Sequence, residues 1–136
     1  MYKRNRFRTI RLSFLMLGLS VGISLAQPGK NWDYLGEANV DGQMDHDSIK
    51  VTGAQGTFRA IRLRVENAPI EFDHVVVHYG NGDVVPIQIR SKIPAGGQSR
   101  VIDLPGQRRI IDRVELWYGR ASGSPAKPKV RLWGLR

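Results

Sequence analysis

The sequence predicts an all-β fold, a single β-sandwich or jelly-roll-like domain of about eight antiparallel strands. From about residue 31 onward, hydrophobic and polar residues alternate with a period of two, which places successive side chains on opposite faces of a strand. Glycine- and proline-containing turns separate these short segments at intervals of about 8 to 14 residues. Because no segment shows a convincing 3.6-residue period, we predict no helix after residue 31.

The first four strands are predicted at 33–40, 48–53, 58–66 and 69–79. The third shows the alternation clearly, because Ile61, Leu63 and Val65 share one face while charged residues occupy the other. The fourth ends at Asn81-Gly82, a pair typical of a type I′ hairpin turn, in which both central residues have positive φ. We therefore expect the fourth and fifth strands to form a hairpin.

The last four strands are predicted at 84–91, 99–104, 110–119 and 128–134. Within the fifth strand, Pro86 has no N–H to donate to a neighbouring strand. We therefore expect this strand at a sheet edge or at a bulge. The turn sequences at 95–97 and 105–106 separate the strands that follow.

Residues 1–26 have the pattern of an export signal. A segment rich in Lys and Arg precedes an apolar run at 12–26, which ends in Ser24-Leu25-Ala26, with small residues at the two positions that signal peptidase reads. The run of about 15 residues is shorter than the roughly 20 that a membrane-spanning helix needs. We expect a cleaved signal peptide, a mature domain at 27–136, and export to the periplasm or the extracellular space. A retained signal anchor is the alternative.

Charge and cysteine content exclude several classes of protein. The net charge of +9 suggests a nucleic-acid ligand, but five basic residues belong to the predicted signal. Removing these five from the 21 basic residues leaves 16 against 12 acidic ones, so no nucleic-acid partner is expected. The chain has no cysteine, which excludes disulfides, zinc fingers and thiol nucleophiles. No transmembrane segment is predicted after signal cleavage.

Two tryptophans are the predicted ligand-binding residues. By alternation, Trp117 and Trp133 fall opposite the apolar stripes of their strands, beside Arg113 and Arg131. Aromatic rings next to arginines on an outward face are typical of surfaces that stack on sugar rings or bind a partner protein. The alternative is that these rings cap the end of the sandwich and serve only in packing.

An acidic loop is the predicted metal site. Asp41, Asp45 and Asp47 supply the hard oxygen ligands that calcium prefers, although their order does not match an EF-hand. The alternative is a turn in which these aspartates hydrogen-bond their own backbone. His74 and His78 are about 13 Å apart on one strand, too far to share an ion, so zinc catalysis is not expected. We expect no cofactor, and calcium at this loop is the alternative.

Asp103 lies close to a predicted turn. Arg100 and Arg109 lie on either side of Asp103 and the Pro105-Gly106 turn. We expect Asp103 to pair with one of the two arginines and to fix the geometry of the turn. An exposed pair of this kind contributes about 0 to 1 kcal/mol.

Much of the chain between residues 32 and 134 shares a pattern of strands and turn glycines with a known family. The pattern comprises Trp32, Leu35-Gly36, Val40, Asp45-x-Asp47-x-Ile49-x-Val51, Phe58-x-x-Ile61-x-Leu63-x-Val65, Gly80-x-Gly82, Gly97-x-Ser99-Arg100-x-Ile102-Asp103-Leu104-Pro105-Gly106-x-x-Arg109-x-Ile111, Val114-x-Leu116-x-Tyr118 and Val130-x-Leu132-x-Gly134. In this it resembles a family of small exported bacterial β-sandwich proteins, a domain of unknown function. The resemblance implies export and the fold. It assigns no reaction and no functional residue.

The expected function is binding and not catalysis. We expect an exported, monomeric module of the cell envelope whose ligand is a glycan or a partner protein. The first alternative is a structural envelope domain without a small ligand. The second is a jelly-roll hydrolase that uses Asp45, His46 and Asp47, since sandwich folds support many chemistries.

Overall fold

The computed structural model describes residues 31–40, 46–119 and 126–136. These residues form two four-stranded antiparallel sheets and the loops that connect the strands. In chain order the strands are β1 (Trp32–Asn39), β2 (His46–Lys50), β3 (Ala60–Glu66), β4 (Ile70–Tyr79), β5 (Val84–Ile93), β6 (Ile102–Asp103), β7 (Ile111–Tyr118) and β8 (Lys129–Leu135). Sheet 1 has the order β1-β8-β3-β6, and sheet 2 has the order β2-β7-β4-β5. The predicted all-β sandwich of about eight strands is confirmed.

The alternation in the sequence separates core from surface. Each strand turns one set of alternate side chains inward, and Leu63, Leu116 and Leu132 are among those that are completely buried. Burial of one such side chain contributes about 1.5 to 3 kcal/mol. Gly134 belongs to the inward set, and its missing side chain leaves room for the Phe58 ring. The outer faces of both sheets therefore hold most of the polar side chains and several aromatic ones.

Strand β5 lies at the edge of sheet 2, which is one of the two positions predicted from Pro86. Pro86 is opposite Val76 of β4, and β5 pairs with no other strand of the part of the chain that the structure describes. Two irregularities accompany this edge: the pairing register shifts between Phe72 and His74, and Arg90 has a positive φ of 46°. A proline and a bulge on an edge strand hinder pairing with another chain.

The hairpin between β4 and β5 has a different turn from the predicted type I′. Gly82 N–H donates to the Tyr79 carbonyl, and only Gly82 in the loop has positive φ, at 95°. The loop therefore has three residues, a type I turn followed by a glycine bulge. The Asn81 side chain accepts a hydrogen bond from the Asp83 N–H, which stabilises a negative φ at Asn81 and explains the difference.

The predicted sixth strand at 99–104 contains only two residues of regular ladder, in β6. The flanking residues still follow β3, since Ser99 N–H donates to the Leu63 carbonyl and Leu104 N–H to the Arg59 carbonyl. These bonds belong to an irregular path and not to a continuous strand.

Residues Asn31–Arg136 form one compact unit, which contains all the strands named above. The predicted signal peptide at 1–26 lies outside the described residues. Within the described residues, no helix has the length and apolar character needed to cross a membrane.

Candidate functional site

The two predicted ligand-binding tryptophans lie in different sheets. Trp117 is on β7 of sheet 2 and Trp133 is on β8 of sheet 1, and each is half-buried on the outer face of its sheet. Their outward direction agrees with the sequence pattern. Because β7 and β8 belong to different sheets, the two rings lie on separate outer faces.

The outer face of sheet 1 contains three aromatic rings and is called the aromatic face. Its main members are Trp32, Tyr34, Arg62, Arg64, Arg131 and Trp133. Trp133 is at the centre of this set, because it is opposite Tyr34 on β1 and opposite Arg62 on β3. The Tyr34 and Trp133 rings meet edge to face with centroids 5.5 Å apart, and the Arg62 guanidinium lies 5.0 Å from the Trp32 ring centroid.

Charged groups surround these rings. Arg131 donates to Glu66 at 3.0 Å and to Glu37 at 3.3 Å, and Tyr34 donates its hydroxyl to Glu37 at 2.6 Å. The hydrogen bonds from Tyr34 and Lys129 hold the pKa of Glu37 below its usual range. Glu37 is therefore ionised at neutral pH and is already neutralised by its neighbours.

Two arginines on the aromatic face retain unused hydrogen-bonding capacity. The Arg62 Nε is shielded from solvent and has no hydrogen-bond partner among the described residues. The Arg64 side chain is 45% exposed, and its ion pair with Glu66 is long, at 3.6 Å. With Lys129 and Arg131, the face has four cations against the carboxylates of Glu37 and Glu66. It has an excess of positive charge that an anionic ligand can use.

The outer face of sheet 2 is called the histidine face, and its central members are His46, His74, His78, Arg113, Glu115 and Trp117. The Trp117 ring lies between two imidazoles. His46 stacks on it at 4.4 Å and 14°, and His74 stacks on it at 5.4 Å and 9°, from the strands on either side of β7. Because both sides of the indole are covered, a sugar ring cannot stack on Trp117.

Glu115 links the remaining groups of the histidine face. Its carboxylate lies 2.5 Å from His78 Nε2 and accepts a hydrogen bond from Trp117 Nε1 at 3.2 Å. Burial raises the pKa of Glu115, but the bonds from His78 and Trp117 and the nearby positive charges outweigh it and lower the pKa overall. Arg113 packs against the same pair, with Nη2 3.3 Å from His78 Nδ1.

The structure separates the residues of the hydrolase alternative. His46 stacks on Trp117 on the outer face, whereas Asp47 points inward and accepts a hydrogen bond from the Tyr118 hydroxyl at 2.8 Å. Adjacent residues of a strand point to opposite faces, so these two side chains do not converge on one site. Asp45 lies outside the described residues.

The calcium prediction concerns a loop that is mostly outside the described residues. Asp41 and Asp45 are not described, and Asp47 already has Tyr118 as a partner. Within the described residues, no group of three or more acidic or histidine side chains is placed to hold a metal ion. The calcium site stays a prediction.

The expected ion pair of Asp103 is wrong. Arg100 donates to the backbone carbonyls of Gln88 and Ile89. Arg109 stacks 3.8 Å from the Tyr79 ring centroid and pairs with Asp83 at 2.8 Å. Both arginines thus bind groups of β4, β5 and the hairpin between them instead of pairing with Asp103.

Sequence reasoning missed the cluster of Trp32, Tyr34 and Arg62 and the stacking of His46 and His74 on Trp117. Alternation alone places Trp32 and Tyr34 on one face of β1. Their neighbours depend on strand order, which alternation does not give. The one available signal was that all three histidines fall on outward positions of their strands.

Comparison with known proteins identifies a family. A family model described as a domain of unknown function (DUF2541) matches residues 12–134. The search of curated proteins found no match.

Proposed function

Because the chain belongs to the DUF2541 family, whose function is unknown, we propose its function from the geometry of its surface: it is an exported, non-catalytic module that binds an acidic glycan of the cell envelope through the aromatic face. The proposal of export rests on the basic segment and apolar run of residues 1–26. The proposal of binding rests on the aromatic face alone.

One observation carries the glycan proposal: Trp133 stands at the centre of a sheet face with aromatic rings and under-used arginines around it. The apolar faces of sugar rings pack against aromatic side chains. The exposed planar guanidinium group of Arg64 can hold a carboxylate, sulfate or phosphate with two parallel hydrogen bonds. An acidic sugar polymer presents both kinds of group to one flat surface.

A partner protein is the second candidate. Tyr, Trp and Arg are enriched in protein–protein interfaces, and the packed Tyr34–Trp133 pair beside Arg62 has that composition. The glycan is preferred because the face has an excess of arginine that a carbohydrate acid would neutralise. A structural domain with no small ligand is the remaining alternative.

Binding to a panel of acidic and neutral oligosaccharides tests the proposal, with calorimetry and thermal shift as the readouts. We expect an acidic member to bind and Trp133→Ala to weaken its binding at least tenfold. Trp117→Ala is the matched control, since it removes a half-buried tryptophan from the outer face of the other sheet. Arg64→Gln should weaken the binding of acidic sugars and leave any binding of neutral sugars unchanged.

Two outcomes contradict the proposal. In the first, no oligosaccharide shifts the melting temperature of a protein that unfolds cooperatively, which favours the partner protein or the structural role. In the second, Trp117→Ala weakens glycan binding as much as Trp133→Ala does. This second result would move the ligand to the histidine face or show that both variants act only through stability.

A further inference from the structure

The three histidines of the chain all lie on the outer face of sheet 2. His46 and His74 flank Trp117 in one row across the sheet. His78 is opposite Arg113 of β7, which is in turn opposite Lys50 of β2, so a second row across three adjacent strands is basic. Neighbouring strands are about 4.8 Å apart, so these basic groups are close enough to act on one ligand surface.

The fixed charges of this face are nearly balanced. The cations are Lys50, Arg90, Lys92 and Arg113, and the carboxylates are Glu71, Asp73 and Glu115. Two of the carboxylates are already hydrogen-bonded to histidines: Asp73 lies 2.6 Å from His74 Nδ1, and Glu115 lies 2.5 Å from His78 Nε2. The fixed charges alone therefore leave the histidine face with little net charge.

Mild acid changes this balance in one direction. Imidazole is the ordinary side chain that gains a positive charge between about pH 8 and pH 5. The lowered pKa of Glu115 keeps that carboxylate ionised in the same range, so the carboxylate does not itself add to the change. A sheet face that carries three imidazoles can therefore gain up to three positive charges in this pH range.

Apolar groups accompany the basic rows at the free edge of the sheet. Val84, which is 53% exposed, is opposite His78, and the exposed Pro86 lies two residues further along β5. Basic groups next to exposed apolar groups suit the boundary between lipid headgroups and acyl chains. A soluble polyanion would use the charges but would gain nothing from Val84 and Pro86.

We propose that the histidine face is an acid-activated docking surface for anionic phospholipid, which holds this protein against a membrane when its surroundings become mildly acidic. Attraction between the protonated histidines and the negative surface adds to the fixed attraction of Lys50 and Arg113. This inference is independent of the glycan proposal, because it uses the opposite face of the sandwich.

Vesicle co-sedimentation of residues 27–136, which include the whole compact unit, tests the inference. The vesicles contain phosphatidylcholine alone or with about a third phosphatidylglycerol, and binding is compared near pH 7.5 and near pH 5.5. We expect the partition coefficient on the anionic vesicles to rise by about ten- to a hundredfold on acidification, given the contribution of each charge at such a surface. Vesicles without phosphatidylglycerol should show no such rise.

The variant His46→Gln/His74→Gln/His78→Gln should lose the rise and keep the binding measured near pH 7.5. The matched control is Arg64→Gln/Arg131→Gln, which removes two charges from the aromatic face and should leave the ratio between the two pH values unchanged. Thermal melts at both pH values identify any variant that has failed to fold, and the single variant His46→Gln then replaces the triple one, with a smaller loss of the rise expected.

Three results would overturn the inference. Wild-type protein that binds anionic vesicles equally at both pH values lacks the acid response. A folded histidine variant that keeps the full response assigns the response to other groups. Acid-dependent binding of heparin without vesicle binding would replace the membrane with a soluble polyanion.

Discussion

Tyr118 and Tyr34 each donate a hydroxyl hydrogen bond to a carboxylate, but in different surroundings. Tyr118 is only 5% exposed and bonds to Asp47 at the end of the core. Tyr34 lies on the outer face of sheet 1, where Glu37 also has Lys129 and Arg131 as partners. We therefore expect the hydroxyl of Tyr118 to contribute more to the free energy of unfolding than the hydroxyl of Tyr34.

Replacing each tyrosine with phenylalanine measures this difference. Tyr118→Phe should lower the free energy of unfolding by about 1 to 2 kcal/mol, because the shielded carboxylate of Asp47 loses a donor. Tyr34→Phe should change it by less than about 0.5 kcal/mol, because cations and water still solvate Glu37. Urea denaturation with an unchanged m value checks both numbers, and equal effects would contradict the burial argument.

At the scale of the element, the β4–β5 hairpin shows how a turn is determined by more than its two most suggestive residues. Gly82 has positive φ, whereas Asn81 is held at negative φ by its own side-chain bond to Asp83. Arg109 then bonds to both Asn81 and Asp83 and covers Tyr79. A residue from a distant part of the chain thereby helps to set the local turn.

The hairpin gives a specific test. A Cβ at Gly82 would meet no atom within 4 Å, so any cost of substitution comes from its φ of 95°. Gly82→Ala should destabilise the protein by about 1 kcal/mol, and Gly82→Asn should cost less because asparagine tolerates positive φ better. Thermal or urea unfolding checks the order of the two variants. A type I′ turn would instead make Asn81→Gly stabilising, and we expect Asn81→Gly to destabilise the hairpin.

For the whole molecule, Glu115 predicts how stability depends on pH. Its pKa in the folded protein lies below the ordinary value of 4.5. A lowered carboxyl pKa stabilises the folded state above the ordinary value, and this stabilisation is lost as the pH falls through the lowered value. Stability should therefore decline below about pH 4.5.

Glu115→Gln should be less stable than the wild type near pH 6, and the difference should shrink as the pH falls towards about 3. Melting temperatures measured across this range test the prediction. Glu71→Gln is the control, because Glu71 is an exposed carboxylate of the same sheet face that bonds to no histidine in the described structure. A difference that stays constant with pH would show that the variant acts only through packing.

The two-layer architecture determines which side chains can contact the same ligand, because the outer faces of the two sheets point in opposite directions. Two surfaces that face away from each other cannot share one small ligand, so any ligand of the aromatic face is separate from any ligand of the histidine face. The four residues chosen from the sequence, Trp117, Trp133, Arg113 and Arg131, divide equally between them.

The all-β class, the approximate strand positions, the outward direction of Trp117 and Trp133 and the edge position of β5 all followed from the sequence alone. The physical reason is that these properties are local: alternation depends on neighbouring residues in one strand, and a proline lacks its own N–H. The composition likewise excluded disulfides, because the chain has no cysteine.

Only the tertiary structure decided which residues meet across strands. Trp133 joins Tyr34 and Arg62 because β8 lies between β1 and β3, although about 70 to 100 residues separate them in the chain. His46 and His74 enclose Trp117 because β7 lies between β2 and β4. Strand order depends on how two whole sheets bury their apolar faces against each other. The alternation of residues within a single strand does not determine this order.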